Sequence, residues 1–491
     1  MPPSCFGIGP HRAWGLVLCL CGLASVLAKP VQGEDWPQFR GPNCSGVSTS
    51  TRSLPVEFSS EKNVCWSVEV GDGIGSPVIA SGRAFTTGMS KPQVFSVYGF
   101  DAATGKKLWQ HDYPTGDLLR ITPPNSHASS TPATDGERVY VYFSTLGLVA
   151  LDAVDGHEVW KYPLPKPAYL MDWGAAASPI VYKDLLVFDQ DDDLTPFILA
   201  LDKRTGDLRW RTERGDMLAG YSVPVICTAN GRTDIVVAGS GKLKGYDPAT
   251  GKELWTCNTL LRTIMTTPVV KDGVIYTSVQ SYGDSGRTLK FALLEWLDTN
   301  QDGQLARTEV PKPFTGKFDQ SDKNGDKILD VEELDTAFQA PTNMAGGGAT
   351  VQAVRGGGTG DVTETHVLWN LHNRAPSNLS SPIVFDEQLF VVKRGGLSSA
   401  YQIDTGKALW ETKRIRNLGD YYASPVAADG KLYVTGENGF IIVLEQGPEL
   451  KVLAKNDMGA SCLAPPAVAD GRLFIRTRDK LFCVGEKSLS E

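Results

Sequence analysis

The chain has 491 residues, more than one compact core accommodates, so several domains or a ring of repeats is expected. A net charge of −8 argues against a nucleic-acid binder, which carries a basic surplus on one face. The acidity is local, because residues 288–340 hold eleven Asp or Glu against six Lys or Arg.

Residues 1–28 place Arg12 before an apolar run, Ala13 to Leu23, and end Val26-Leu27-Ala28, which reads as a secretory signal peptide. Cleavage is expected after Ala28, with Gly33 as second choice. No later stretch is apolar for long enough to span a bilayer, so the mature chain is expected to be secreted or periplasmic. Six cysteines remain after cleavage: Cys44, Cys65, Cys227, Cys257, Cys462 and Cys483. An even set in an oxidising compartment suits disulfides.

Residues 29–61 form an N-terminal arm whose core, Asp35 to Val47 (DWPQFRGPNCSGV), has the turn formers and aromatics of a segment laid over a domain. A strand with no hairpin before it, Asn63 to Val70, carries Trp66. Then a repeat begins with three marks: a small residue before Pro, an Asp/Asn-Gly turn before an aromatic strand, and a turn leading to Trp, as in Phe100 to Trp109 (FDAATGKKLW). Asp101 can accept bonds from the backbone of its own turn, and Gly105 supplies positive φ.

The prolines are Pro77, Pro132, Pro179, Pro224, Pro268, Pro382, Pro425 and Pro466, giving gaps of 55, 47, 45, 44, 114, 43 and 41. That period is the four-strand blade of a β-propeller, interrupted once. Trp66, Trp109, Trp160, Trp210, Trp255, Trp369 and Trp410 mark the outer strands, and the seventh unit places Leu453 at the indole position. The eighth unit ends without a Trp strand. The sequence therefore predicts an all-β, eight-bladed propeller over 62–486, with Asn63 to Val70 as the outer strand of the last blade and 487–491 as a tail. This closure sets Cys65 opposite Cys483, a predicted disulfide; the other four cysteines allow three pairings.

The long gap falls within blade 5, after Tyr276 to Gln280, and the blade resumes near Thr350 to Val354. An insertion over 287–346 begins with helical periodicity at Thr288 to Leu297 and continues with two twelve-residue EF-hand loops. In the first, Asp298, Asn300, Asp302 and Glu309 supply side-chain oxygens, Gln304 a carbonyl, Gly303 the bend, and Ala306 directs a water. The second offers Asp322, Asn324, Asp326, Ile328 through its carbonyl, Asp330 and Glu333, but has Lys327 at the bend, where strain is expected. Six to eight hard oxygens suit calcium, the expected cofactor, at the weak affinities of extracellular modules. Leu305 and Leu329 are expected to join the loops.

The repeated D-x-x-T-G-x-x-x-W pattern, in DAATGKKLW, DPATGKELW and DTGKALW, resembles the PQQ-like β-propeller repeat, and WPQFRGP resembles the start of exported bacterial members. The resemblance implies that each Trp docks on the next blade. It also implies one of two activities: oxidation of alcohols by pyrroloquinoline quinone and calcium at the mouth, or cofactor-free scaffolding like that of the barrel-assembly propeller. Dehydrogenases of this kind carry a disulfide between adjacent cysteines, and no two cysteines adjoin here. No haem-attachment motif, HExxH or GxSxG is present. Gly239 to Gly245 lacks phosphate-loop spacing.

The segments before each inner strand are expected to gather His127, Asp172, Trp173, Tyr221, Arg262, Arg374, Asn378, Asp420 and Tyr421 at the mouth. The reading is an exported, non-catalytic binding or scaffolding propeller with a calcium-loaded EF-hand pair. Its partner would be a protein or another cell-envelope component engaged through a propeller face. The alternative is a periplasmic quinone-dependent oxidoreductase acting on alcohols or sugars, and a polysaccharide binder is a third possibility.

Overall fold

Eight sheets follow one another round a ring, seven of four antiparallel strands and one, blade 4, whose outer strand Glu253–Cys257 gains a short parallel fifth strand, Gly360–Asp361. The computed structural model describes residues 34–486 apart from 171, 218–219, 260–264, 281–292, 295–296, 335, 338–348, 373–378 and 421. The signal segment and both cleavage positions lie outside the described residues. Blade 1 comprises Val78–Ala80, Arg83–Lys91, Val94–Asp101 and Lys107–Pro114 from axis to rim, and the others repeat this order. Blade 8 is completed by Val64–Glu69, paired with Lys480–Gly485, so the two ends of the domain close the ring within one sheet.

The marks of the repeat each acquire a physical role. Asp101 accepts from the N–H groups of Ala103 (3.1 Å) and Thr104 (2.8 Å), fixing the turn. The small residue before Pro reaches sideways between blades. Ser76 N–H donates to the Thr131 hydroxyl, Thr131 N–H to Ser178, Val223 N–H to Thr267, Thr267 N–H to Ser381 and Ser381 N–H to Ser424.

The Trp docks across the blade boundary. Trp66, Trp109, Trp160, Trp210 and Trp369 each donate from Nε1 to a main-chain carbonyl in the next blade's turn, at Ala102, Ala153, Lys203, Pro248 and Ile403. Gly206 of blade 3 lies against the Trp160 ring, 2.7 Å from where its Cβ would be, so no larger residue fits. Trp255 is an exception, because blade 5 lacks the turn, and its Nε1 bonds Asp234 instead. Trp410 has no Nε1 partner among the described residues.

Three expectations need correction. Opposite each Trp in the neighbouring strand sits a small residue: Gly99, Ala150, Ala200, Gly245, Ala353 and Ala400, leaving room for the indole. In blade 8 that residue is Cys483, paired with Trp66, while Cys65 sits in a bulge between Val64 and Trp66. The predicted register was thus one residue off. Both are free thiols, as are Cys44, Cys227, Cys257 and Cys462. In blade 7, Val443 pairs with Ala454, so Ala454 and not Leu453 takes the indole position, because the preceding turn is one residue longer.

The third correction concerns the arm. The innermost strand of each blade presents a free edge to the axis. Trp36 exchanges two backbone bonds with Ile79 of blade 1, and Pro37 O accepts from Thr134 of blade 2. The Gln38 side chain accepts from Val181 of blade 3, and Asn43 exchanges two bonds with Ile226 of blade 4. Arg40 donates to Pro382 O ahead of blade 6, and Gly46 and Ser48 bond Ala427 of blade 7. A segment bonded to so many inner edges runs in the axis instead of over the surface, where it satisfies polar groups that eight converging edges would otherwise leave exposed in the channel. Trp36, Arg40 and Cys44 are fully buried there.

Candidate functional site

In a four-stranded blade, the connections between blades and the loops from second to third strand share one face, the mouth. Blade 5 is cut at that loop: Gln280 pairs with Ala349, and the insertion leaves and returns at this point. Paired strand residues lie about 5 Å apart, so the insertion joins without distorting the blade.

Within the insertion the two EF-hand loops repeat one hydrogen-bond pattern. Gly303 N–H donates to Asp298 Oδ2 (2.9 Å), and Lys327 N–H to Asp322 Oδ2 (3.0 Å). Glu309 Oε1 accepts from Thr299 N–H (2.9 Å), and Glu333 Oε1 from Lys323 N–H (2.7 Å). Their other oxygens accept from Ala306 and Asp330. Asn300 and Asn324 donate to Asp302 and Asp326. Leu305 pairs with Leu329, and Ala306 with Ile328, in a two-stranded ribbon. Burial raises the Glu309 pKa, but donors from Ala306, Thr299 and Asn300 outweigh it and hold the carboxyl below its ordinary value.

The first, third, fifth and twelfth positions of the first loop thus turn their oxygens onto backbone N–H groups within that loop, Asp302, Gly303, Gln304, Thr299, Asn300 and Ala306. This all-oxygen donor set fits a hard divalent cation. Gly303 has φ 80, and Lys327 adopts the same left-handed bend at φ 68. The helix after the first loop is short, Thr315–Ser321, with Pro311 and Pro313 ahead of it.

The mouth residues separate into two groups. Tyr221 stacks on Tyr169 at 5.0 Å and meets Trp173 at 6.3 Å. Asp172 adjoins them, facing Arg120 at 3.4 Å, and its carboxyl is pushed up by burial against the pull of that arginine. Elsewhere His127 is lowered by burial, opposed by Asp72, which bonds Ser126 (2.6 Å) and pairs with Arg478 (2.6 Å). Asp420 O accepts from Glu437 N–H. Arg262, Arg374, Asn378 and Tyr421 lie outside the described residues.

Sequence reasoning missed what lies beneath. Arg214 is fully buried and binds Asp191 through two bonds, 2.8 and 2.7 Å, and Tyr246 OH at 2.9 Å. Asp189 is buried nearby with neither carboxylate oxygen bonded, and burial, reinforced by Asp191, raises its pKa well above the ordinary value. The Asp192 side chain caps Leu194 and Thr195, and Asp193 accepts from Leu170 N–H. The signal was the run Asp189-Gln-Asp-Asp-Asp193, unusual after a hydrophobic strand. Arg476, buried opposite in blade 8, donates to Thr86 Oγ1 and Gly71 O, and burial lowers it to about 10.

A family model described as outer membrane protein assembly factor BamB matches residues 48–174 and 95–324. The outer membrane protein assembly factor BamB of Yersinia pestis is 21% identical over 80% of this chain and 92% of its own length. The quinohemoprotein alcohol dehydrogenase ADH IIB of Pseudomonas putida is 28% identical over 44% of this chain and 33% of its own. The crystal structure of BamB from Moraxella catarrhalis has a TM-score of 0.53 at 16% identity, covering 87% of this chain and 99% of that one, a likeness of fold.

Proposed function

This chain belongs to the family described as outer membrane protein assembly factor BamB, and from that premise we propose that it is a non-catalytic scaffold of the cell envelope. It is exported by its signal segment 1–28 and binds a protein partner through the mouth face. The observation that carries this reading is extent: similarity to an assembly factor runs through 92% of that relative, whereas the alcohol dehydrogenase is matched over only 33% of its length. Among the described residues no helix is long and apolar enough to cross a membrane.

Calcium belongs to the same reading. Asp298, Asn300, Asp302, Gln304 and Glu309 would hold one ion, and Asp322, Asn324, Asp326, Ile328, Asp330 and Glu333 a second, bridged by the ribbon through Leu305 and Leu329. The ions would supply the positive charge that orders two acidic loops. Calorimetric titration of the whole protein is expected to give binding heat that a Glu309→Gln, Glu333→Gln variant lacks; equal heat from both proteins refutes the assignment. Scaffolding is tested by cross-linking purified protein to envelope fractions. The expectation is one defined partner, lost when Trp173→Ala and Tyr221→Ala are combined, and unchanged cross-linking in that variant overturns the choice of the mouth face.

The alternative, a quinone-dependent oxidoreductase, rests on the dehydrogenase relative. Among the described residues, Arg214 and Arg478 pair with Asp191 and Asp72, Arg40 and Arg476 donate to main-chain carbonyls and a threonine hydroxyl, and no cysteines adjoin. The described residues do not fit the quinone. Pyrroloquinoline quinone retained through gel filtration, with dye reduction by alcohols or sugars, would establish the alternative.

A further inference from the structure

The inserted module leaves blade 5 but rests on blade 3. Its apolar core of Leu297, Leu305, Phe314, Phe318, Leu329 and Leu334 also contains Leu170, with Leu194 packed against it. Leu170 lies in the connection from blade 2 to blade 3, and Leu194 in the loop between Leu185–Gln190 and Phe197–Asp202 of blade 3. Lys317, on the helix Thr315–Ser321, donates to the Asp193 carbonyl in the same loop. The module therefore reaches past blade 4 and props two mouth loops that are not its own.

Those two loops are tied to each other and to the aromatic group. Leu170 N–H donates to the Asp193 carboxylate at 2.9 Å and Ala168 N–H to Asp192 at 3.2 Å. Tyr169, next to Leu170, is the ring on which Tyr221 stacks. The docking core is also the core of the ion loops. Leu297 precedes Asp298, Leu305 and Leu329 form the ribbon between the loops, and Leu334 follows Glu333. Without a cation, each loop holds carboxylates that repel one another across a few backbone groups, and a loosened ribbon loosens the core that Leu170 shares.

We infer that calcium at the inserted pair controls the mouth: ion binding fixes the module against Leu170 and Leu194 and so orders the Trp173 and Tyr221 surface, backed by the buried Tyr169, through which a partner would be held. This rests on the calcium reading above. The coupling is a free energy shared between two sites, so a partner held by that surface would in turn tighten calcium.

The test is hydrogen exchange of the full-length protein in calcium and in chelator, with calorimetry on the same samples. Peptides covering 164–170 and 191–196 are expected to exchange about tenfold more slowly in calcium, while Lys451–Asp457 of blade 7, remote from the module, is unchanged. Leu170→Asp is expected to bind calcium still, but more weakly, and to lose the calcium-dependent protection of 191–196, with Lys317→Ala as a milder variant should Leu170→Asp fold poorly. Heat without any change in the two loops overturns the inference and leaves the calcium reading standing. Absence of heat overturns both.

Discussion

The ring and the module inserted in it are both built from repeated turns, and both need residues with left-handed backbone, yet they secure them in opposite ways. Gly206, in the turn of blade 3, has φ 78 and lies under the Trp160 indole of the blade before it. Gly303, in the first EF-hand loop, has φ 80 and nothing within 4 Å of where its Cβ would be. A turn of the ring is held by its neighbour, and a loop of the module by its own carboxylates. The ring's turn is therefore fixed by packing between blades, whereas the module's loops are fixed by backbone N–H groups donating to their own carboxylates. The same contrast explains how Lys327 occupies a bend at φ 68 in the exposed second loop, at a strain cost of about 1 kcal/mol.

The largest expected effect is at the buried pair under the mouth. Arg214→Ala removes Asp191's buried partner, so that Asp191 must take up a proton or stay an uncompensated buried charge, and should cost about 3 to 5 kcal/mol in denaturant unfolding. A loss as small as that of a surface substitution would show that blades 3 and 4 are not locked there. Next is the glycine comparison itself. Gly206→Ala should cost about 2 to 4 kcal/mol, combining left-handed strain with a clash against Trp160. Gly303→Ala carries the strain alone, about 1 kcal/mol. Equal losses measured by chemical unfolding and by exchange within the module would remove the distinction between the two kinds of turn.

Lys327→Gly should relieve the second loop by about 1 kcal/mol, seen as slower hydrogen exchange within the module. A further effect is read from pH. Because burial raises the Asp189 carboxyl, the folded state holds its proton over a range where the unfolded chain has lost it. Its contribution to stability is therefore full below about pH 4 and declines as pH rises towards its folded value. Asp189→Asn should remove that decline from a series of thermal unfolding curves, and an unaltered pH profile would mean that Asp189 is not the group responsible.

The blade period, the interruption and the closing strand were all legible in the chain, because each depends on local pattern: where Pro, Gly and Trp recur, and where one fails to recur. Wherever the answer turned on a single residue of register, the sequence was a weaker guide. Spacing sets Cys483 against Cys65, whereas pairing makes it the small residue that leaves room for Trp66, and Ala454 stands where Leu453 is expected because one extra turn residue shifts a strand by one place. In a strand a shift of one exchanges the faces, and cross-strand pairing alone decides which residue meets which.

The sequence by itself determined the architecture and the two acidic loops, since hydrophobic period, turn chemistry and ligand spacing are properties of neighbouring residues. Tertiary structure decided where these parts meet. It put the arm's Trp36 and Arg40 in the axis, where inner strand edges need partners, and it brought Leu170 of the mouth into the core of a module that lies far along the chain, with Leu297. Such contacts join segments distant in the chain, and nothing in the local pattern of either segment records the other.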